Sequence, residues 1–207
     1  MTDEPIVHVI DDDEAVRESL SFLLGTAGIA VQTHDSAVAF LNIAGVPATG
    51  CIITDVRMPD MTGIELLSRL KASMIGIPVI VMTGHGDVPL AVEAMKVGAV
   101  DFIEKPFDDE LMLTAVQAAL GRYQQDRKRG MECAEIQKRL KTLSARERQV
   151  LEGLVDGLPN KTIAYDHRIS PRTVEVYRAN VMTKMQAKSL SDLVRMALIG
   201  GILDPQT

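Results

Sequence analysis

Val7 to Leu20 reads VHVIDDDEAVRESL, an apolar run that stops in four successive carboxylates, Asp11, Asp12, Asp13 and Glu14. Like charges this close repel one another, and each loses hydration wherever the site is partly buried. They either fan out into solvent or gather a cation. Three later apolar runs end in residues of complementary chemistry: CIIT runs into Asp55, VIVMT ends in Thr83, and DFIE runs into Lys105-Pro106. Hard carboxylate oxygens with no His or Cys beside them suit Mg²⁺, which keeps several waters and needs only one or two protein carboxylates. A carboxylate next to such an ion can attack phosphorus and become an aspartyl phosphate. Thr83 can hydrogen-bond a phosphoryl oxygen, and Lys105 can pair with another as a point charge. A helix cap is the simpler account of any one of these residues. Their shared position at the ends of apolar runs favours one common site.

That site requires elements that bring the run ends together. Short apolar runs recur at 6–10, 29–33, 51–54, 77–83 and 99–104, separated by amphipathic stretches at 14–27, 36–44, 62–73, 87–97 and from 108 onward. In the first stretch Val16, Leu20, Leu23 and Leu24 follow the three-and-four spacing of one helical face. Five strands alternating with five helices imply βαβ units and an α/β fold, a five-stranded doubly wound parallel sheet covered on both faces. The third and fourth runs are almost continuously apolar, as strands buried on both sides are. In such sheets the functional crevice lies beyond the carboxyl ends of the strands, where these residues fall.

Charge divides the 207 residues: the first 120 carry 18 acidic and 6 basic side chains, the rest 10 acidic and 16 basic. A net −12 joined to a net +6 leaves the second half as the one suited to a polyanion. The acidic start, MTDEPIV, leads straight into a strand-like run and does not read as a signal peptide. No apolar run approaches the roughly 18 residues of a membrane span. Cys51 and Cys133 lie far apart without CxxC spacing, which suits a reducing cytoplasm and argues against a zinc site.

From Gly121 to Lys141 the chain is polar and basic, without a Pro or Ser run, and reads as a helix continuing from the first half, with Gly130 as the place for a break. Tyr123, Met131, Ile136 and Leu140 are too sparse for a long coiled coil. Arg127-Lys128-Arg129 offers an alternative role in direct phosphate contact. Beyond it, Ser144-x-x-Glu147 is a capping box opening a helix whose apolar face holds Val150, Leu151, Leu154, Val155 and Leu158. Asn160 is placed to cap a second, shorter helix, and Ser170-Pro171 opens a third as cap and first residue. On the third helix Val174, Tyr177, Val181 and Met185 share an inner face; a fourth runs from Ser191 to Ile199. Short helices with a tight turn before a polar, basic third one fit a helix-turn-helix.

The segments IDDDE, TDVRMPDMTG, VMTGHG and FIEKPF resemble the receiver domain of bacterial two-component response regulators. The resemblance implies that Asp55 is the phosphoacceptor and that Mg²⁺ is held by Asp11, Asp12, Asp55 and the backbone carbonyl of Arg57. It further implies Thr83 as the switch hydroxyl, Lys105 as the phosphate-pairing lysine before a cis peptide at Pro106, and Phe102 as the aromatic switch. Val92, Met95, Lys96, Asp101 and Glu104 then form the dimer face. Asp13 is expected to begin the following helix, where its charge suits the dipole. The signature LSARERQVL…GLPNKTIA…ISPRTVEVYRANVMTKM is similar to LuxR-type effector domains, and the pair of domains is that of the NarL/FixJ class. Expected boundaries are a receiver at 1–121, a helical linker at 122–141 and a LuxR-type helix-turn-helix domain at 142–207.

What the class implies is a phosphorylation-controlled transcription activator, dimeric when phosphorylated, with a sensor histidine kinase, double-stranded DNA and RNA polymerase holoenzyme as partners. The strings GHGDVPLAVEAMKVGAVDFIEKPF and SPRTVEVYRANVMTKM resemble the nitrogen-fixation regulators within it, whose kinase carries haem and responds to oxygen. By position Thr173, Glu175, Val176 and Ala179 face base edges, whereas Asn160, Lys161, Arg172, Arg178 and Lys184 suit phosphate. Many relatives carry Lys where Glu175 stands and His where Tyr177 stands. Glu175 either accepts from a cytosine amino group or holds Arg172 or Arg178 in place. Two rival readings fare worse. A Mg²⁺ phosphatase with an aspartate nucleophile needs a D-x-D followed by Thr or Val, but Glu14-Ala15 follow Asp13. A phosphate-independent docking module would leave the acidic cluster a solvated edge.

Overall fold

A computed structural model describes residues 4–43, 49–84 and 88–202. The chain divides into two units, Met1–Asp126 and Arg127–Thr207. The first alternates strictly: β1 (Ile6–Ile10), α1 (Glu14–Thr26), β2 (Ala30–His34), α2 (Ala37–Ile43), β3 (Gly50–Asp55), α3 (Gly63–Ala72), β4 (Val79–Thr83), α4 (Val88–Val97), β5 (Asp101–Glu104) and α5 (Asp109–Leu140). The strands are parallel in the order β2-β1-β3-β4-β5. Every residue of β3 and β4 is buried, the outcome their unbroken apolar character foretold. One face packs Ile10, Ile52, Val79 and Val81 with Phe40, Leu66 and Leu70; the other packs Val7, Val9, Ile53 and Ile80 with Leu20, Leu24, Met112 and Val116.

Local signals set the helix starts. Asp13 caps α1 by accepting from the amide of Ala15, and Thr62 with Glu65 forms a full capping box on α3. The expected helix starts at Asp87 and ends at Ala44 lie outside the described residues. The connector is helical throughout: α5 runs 32 residues and passes through Gly130 without a break. A glycine inside a helix costs about 1 kcal/mol relative to alanine, too little to interrupt one this long. The second half of the connector, from Arg127, groups with the second unit, where Ile136 and Leu140 are buried.

That unit also contains α6 (Ala145–Val155), α7 (Asn160–Asp166), α8 (Pro171–Met185) and α9 (Leu190–Ile199). Ser144 and Glu147 form the expected capping box, and Ser170 caps α8 with Pro171 next. Two starts differ from expectation. Pro159 occupies the cap of α7, Asn160 is already helical, and no side chain caps that helix. Proline fixes the extended-to-helical turn by its own φ, so the helix begins one residue earlier. Ser189 rather than Ser191 stands at the start of α9, accepting from the amide of Asp192.

Candidate functional site

Strand register brings the singled-out residues to one edge. Ile10 pairs with Thr54, Asp55 with Met82 and Thr83 with Glu104, so Asp11, Asp55, Thr83 and Lys105 lie in or just past the last rung. The side chains meet there. Lys105 Nζ lies 2.6 Å from Asp55 Oδ1 and 2.7 Å from Asp11 Oδ2. Asp11 is 1% exposed and Asp55 8% exposed, so both charges need compensation and the lysine supplies it. The Lys105 amide donates to the Thr83 carbonyl at 2.7 Å, and the Lys105–Pro106 peptide is cis.

Electrostatics here are a contest between burial and pairing. Burial pushes the Asp55 carboxyl above the usual range, against the pull of Lys105 and of the Arg57 amide, which donates to Asp55 Oδ2 at 2.5 Å. Burial alone would lower Lys105, but its hydrogen bonds to Asp11 and Asp55 outweigh this and raise it. The site therefore holds a fixed ammonium beside an Asp55 carboxylate that costs energy to keep charged.

The loop after β1 is knitted around the same point. The Asp13 amide donates to Asp11 Oδ1 at 2.9 Å. Arg17 Nη1 donates to the carbonyls of Asp11 and Asp12, at 2.7 and 3.0 Å. These bonds leave the exposed Asp12 carboxylate without a partner among the described residues. Among those residues no group of three or more His, Cys, Asp or Glu side chains stands ready to hold a metal, and Lys105 bridges Asp11 and Asp55. Mg²⁺ takes one or two carboxylates and keeps its waters, so the Asp11 and Asp55 carboxylates, already sharing one cation, fit such an ion.

Thr83 is buried, its hydroxyl donating to the Gly84 carbonyl at 2.9 Å, whereas Phe102 is 45% exposed. Val92 and Met95 are likewise 48% and 43% exposed, beside exposed Lys96, Asp101 and Glu104. Phe102, the expected switch residue, thus stands on the outer surface, as do the residues expected at a dimer face.

Two contributors escaped the sequence reading. Gly63 opens α3 so close to Asp55 that an added Cβ would lie 2.3 Å from the Asp55 carbonyl oxygen. Its place in the quoted TDVRMPDMTG run was visible, but its contact was not. Arg17, four residues after Asp13, carries helical spacing from the acidic cluster and was legible in principle.

In the second unit, Val174, Val181 and Met185 are fully buried, with Tyr177 and Met182 packed against that cluster. Arg172, Glu175, Val176 and Ala179 point outward at the i, i+3, i+4, i+7 spacing of one face, and Val176 is 55% exposed. Lys161 is exposed, while Asn160, Thr173 and Arg178 are half-buried. The Thr173 hydroxyl lies 2.8 Å from that of Ser170, at the helix cap. The exposed Lys184 has its ammonium 2.6 Å from Glu147 Oε2 and 3.3 Å from the Thr142 carbonyl.

Residues 7–117 match the response regulator receiver domain, and residues 141–197 match bacterial regulatory proteins of the luxR family. The chain is 65% identical over 197 residues to the transcriptional regulatory protein FixJ of Azorhizobium caulinodans, covering 95% of this chain and 93% of that one. With FixJ of Bradyrhizobium diazoefficiens it shares 54% over 204 residues, 99% of this chain and all of the relative. Among solved structures it is similar to the response regulator StyR, at a TM-score of 0.83 and 40% identity over 94% of this chain and 98% of that one. Full-length FixJ from B. japonicum matches at a TM-score of 0.61 and 54% identity, over 98% of this chain and 100% of the other. Receiver edge, DNA-reading helix and relatives agree: the chain is a two-component response regulator of the NarL/FixJ family, a DNA-binding transcription regulator close to FixJ.

Proposed function

We propose that Asp55 accepts a phosphoryl group from a sensor histidine kinase, and that this modification promotes dimerisation and DNA binding to activate transcription, the targets being nitrogen-fixation or microaerobic genes. The observation that carries the reading is the single ammonium of Lys105 shared between Asp55 and Asp11 at the strand ends. An Asp55 oxygen attacks phosphorus, the bond from phosphorus to the donor's imidazole nitrogen breaks, and an acyl phosphate forms. The residue ends with more negative charge than it began with, and Lys105 turns from carboxylate to phosphoryl oxygen. Receiver domains generally bind Mg²⁺ at this position; Asp11, Asp12, Asp55 and the Arg57 carbonyl are the groups that would hold it. When bound, such an ion neutralises charge on the transferred phosphoryl oxygens.

Thr83 supplies the relay. Its hydroxyl, now given to Gly84, can turn to the phosphoryl oxygen, vacating space that Phe102 can enter from its exposed position. The face bearing Val92, Met95, Lys96, Asp101 and Glu104 then changes shape and pairs with a second copy. Pairing raises the effective concentration of one DNA-binding domain at the half-site next to the other. On the DNA side, Thr173, Glu175, Val176 and Ala179 read base edges, while Asn160, Lys161, Arg172 and Arg178 position the domain on phosphates. The exposed Val176 suits a thymine methyl group.

We assign the activity to the cytoplasm; among the described residues no helix is long and apolar enough to cross a membrane. The kinase is taken to be a haem-containing oxygen sensor, as the resemblance to nitrogen-fixation regulators implies, and the activated dimer is taken to engage RNA polymerase holoenzyme. Phosphotransfer from candidate kinases to the wild type and to Asp55→Asn, followed by footprinting, tests the reading. Equal labelling of both chains, or an operator footprint indifferent to phosphorylation, overturns it.

A further inference from the structure

Lys184 lies near the C-terminal end of α8, the helix that the proposed function, on which this inference rests, sets against DNA; its side chain is 39% exposed, yet its charge is paired within the domain. Its ammonium pairs with Glu147, which is 4% exposed, and also donates to the Thr142 carbonyl. Glu147 has two duties: Oε2 accepts from the Ser144 amide at 2.7 Å as part of the capping box and takes the lysine at 2.6 Å. These hydrogen bonds, that of Lys184 foremost, hold its carboxyl down to about 2. One residue further on, the Met185 carbonyl accepts from Arg139 Nη1 at 3.1 Å. The last carbonyls of a helix have no partner within it, and α8 ends in a left-handed residue, Gln186 at φ 57°. Arg139 thus satisfies one of these otherwise unpaired groups from α5, while Glu135 braces the arginine at 3.3 Å.

We propose that Arg139, Glu147 and Lys184 are positioning residues for DNA reading: they fasten the C-terminal end of α8 to the last turn of α5 and the first turn of α6, and Lys184 touches no phosphate. The physical reason is leverage. The outward face of α8 must be held to a fraction of an ångström to place several side chains against base edges at once. Its N-terminal end is fixed by the Ser170 cap, and its middle by buried Val174 and Val181. Its other end rests on buried Met185, which apolar packing fixes in depth but not in direction, and directional bonds supply what packing lacks. A lysine whose donors serve Glu147 and Thr142 is also poorly placed to release counterions from DNA.

The inference separates positioning from phosphate contact by salt dependence. The full-length chain is titrated with two duplexes, one selected by the wild type from a random-sequence pool and one scrambled from it, over a range of salt. For Lys184→Met the expected result is a loss of about tenfold on the selected duplex, with the scrambled duplex unchanged within about twofold and the salt slope unchanged. A parallel loss on both duplexes, with the slope shallower by about 0.9, is the signature of a lost phosphate contact and overturns the proposal. Glu147→Gln keeps an acceptor for the cap and removes the ion pair. It should lower selectivity in the same way, whereas tighter binding to both duplexes with a steeper slope would mean that it had merely masked a DNA-binding lysine. Should removal of the pair unfold the domain, Arg139→Ala and Arg139→Lys still decide. Selectivity falls for alanine and returns for lysine, which can still donate to Met185; alanine equal to wild type sinks the proposal.

Discussion

Lys105 Nζ sits 2.6 Å from Asp55 Oδ1 while the same nitrogen holds Asp11 Oδ2 at 2.7 Å. One cation thus serves two buried carboxylates from strands that are neighbours in the sheet. Asp11, Asp12 and Asp55 outnumber Lys105 and the Arg17 guanidinium that reaches the same loop, so the site keeps a net negative charge that favours a cation. It also keeps a positive charge within reach of any anion added to Asp55. Substitution of Asp55 by Asn preserves the shape and removes the nucleophile. Incubation with acetyl phosphate should then add no phosphoryl group, read by intact mass, whereas the wild type gains one; a stable adduct on the variant would relocate the acceptor.

Removing the lysine tests the other half of that relationship. Lys105→Met leaves Asp11 and Asp55 facing each other without compensation, so Mg²⁺ should bind roughly 3- to 30-fold more tightly. The same variant lacks the charge that meets the phosphoryl group, and its oligomeric state should no longer respond to acetyl phosphate. Titration of metal binding by calorimetry checks the first effect and sedimentation the second. Weaker metal binding would mean that Lys105 organises the carboxylates more than it competes for them.

Gly63 makes a purely steric prediction. Its amide donates to the Val56 carbonyl at 3.0 Å, and a methyl group there would meet the Asp55 carbonyl oxygen at 2.3 Å, well inside contact. The obstacle is backbone, which cannot swing aside as a side chain can. Gly63→Ala should cost about 1–3 kcal/mol in denaturant unfolding. It should also slow phosphate uptake, because relief of the clash displaces the end of β3. Wild-type stability and uptake together would show that the loop yields freely.

How far the sequence could be read follows from the same residues. Strand ends, helix caps at Asp13 and Ser144, and the convergence of Asp11, Asp55, Thr83 and Lys105 were all legible. Each rests on local residue type and a period of two or of three-and-four. Helix starts at Pro159 and Ser189 were missed by one or two residues, since proline and serine compete with their neighbours as caps and only the chain path decides. The pairing of Lys184 with Glu147 was illegible for a deeper reason. An outward basic residue on a DNA-facing helix carries no local sign that a glutamate 37 positions earlier lies under it. The contacts of Gly63 and the buried histidine pair of β1 and β2 are likewise non-local.

That pair gives the sharpest pH dependence. His8 Nδ1 and His34 Nε2 are 3.1 Å apart, with the Phe40 ring edge-on to both, and each imidazole is less than 10% exposed. Burial lowers His8 to about 4, with His34 adding to the effect; burial also lowers His34, against the pull of Asp35. Both are therefore harder to protonate when folded than in the unfolded chain, which takes up protons near 6.5. Between these values the unfolded state binds more protons, so stability is complete above about pH 6.5, falls with falling pH and levels off near pH 4. His8 alone accounts for on the order of 3 kcal/mol across that window. The effect should reach the acidic site, because the His34 carbonyl accepts from the Asp11 amide at 3.2 Å. Amide exchange at Val9 and Asp11 should accelerate from pH 6.5 to 4, after correction for intrinsic rates, relative to Leu151 and Val174 in the second unit. In His8→Leu/His34→Leu, which replaces both partners by apolar groups, the first unit should lose that differential. A double variant that destabilises on acidification as steeply as the wild type would assign the proton uptake to the carboxylates instead.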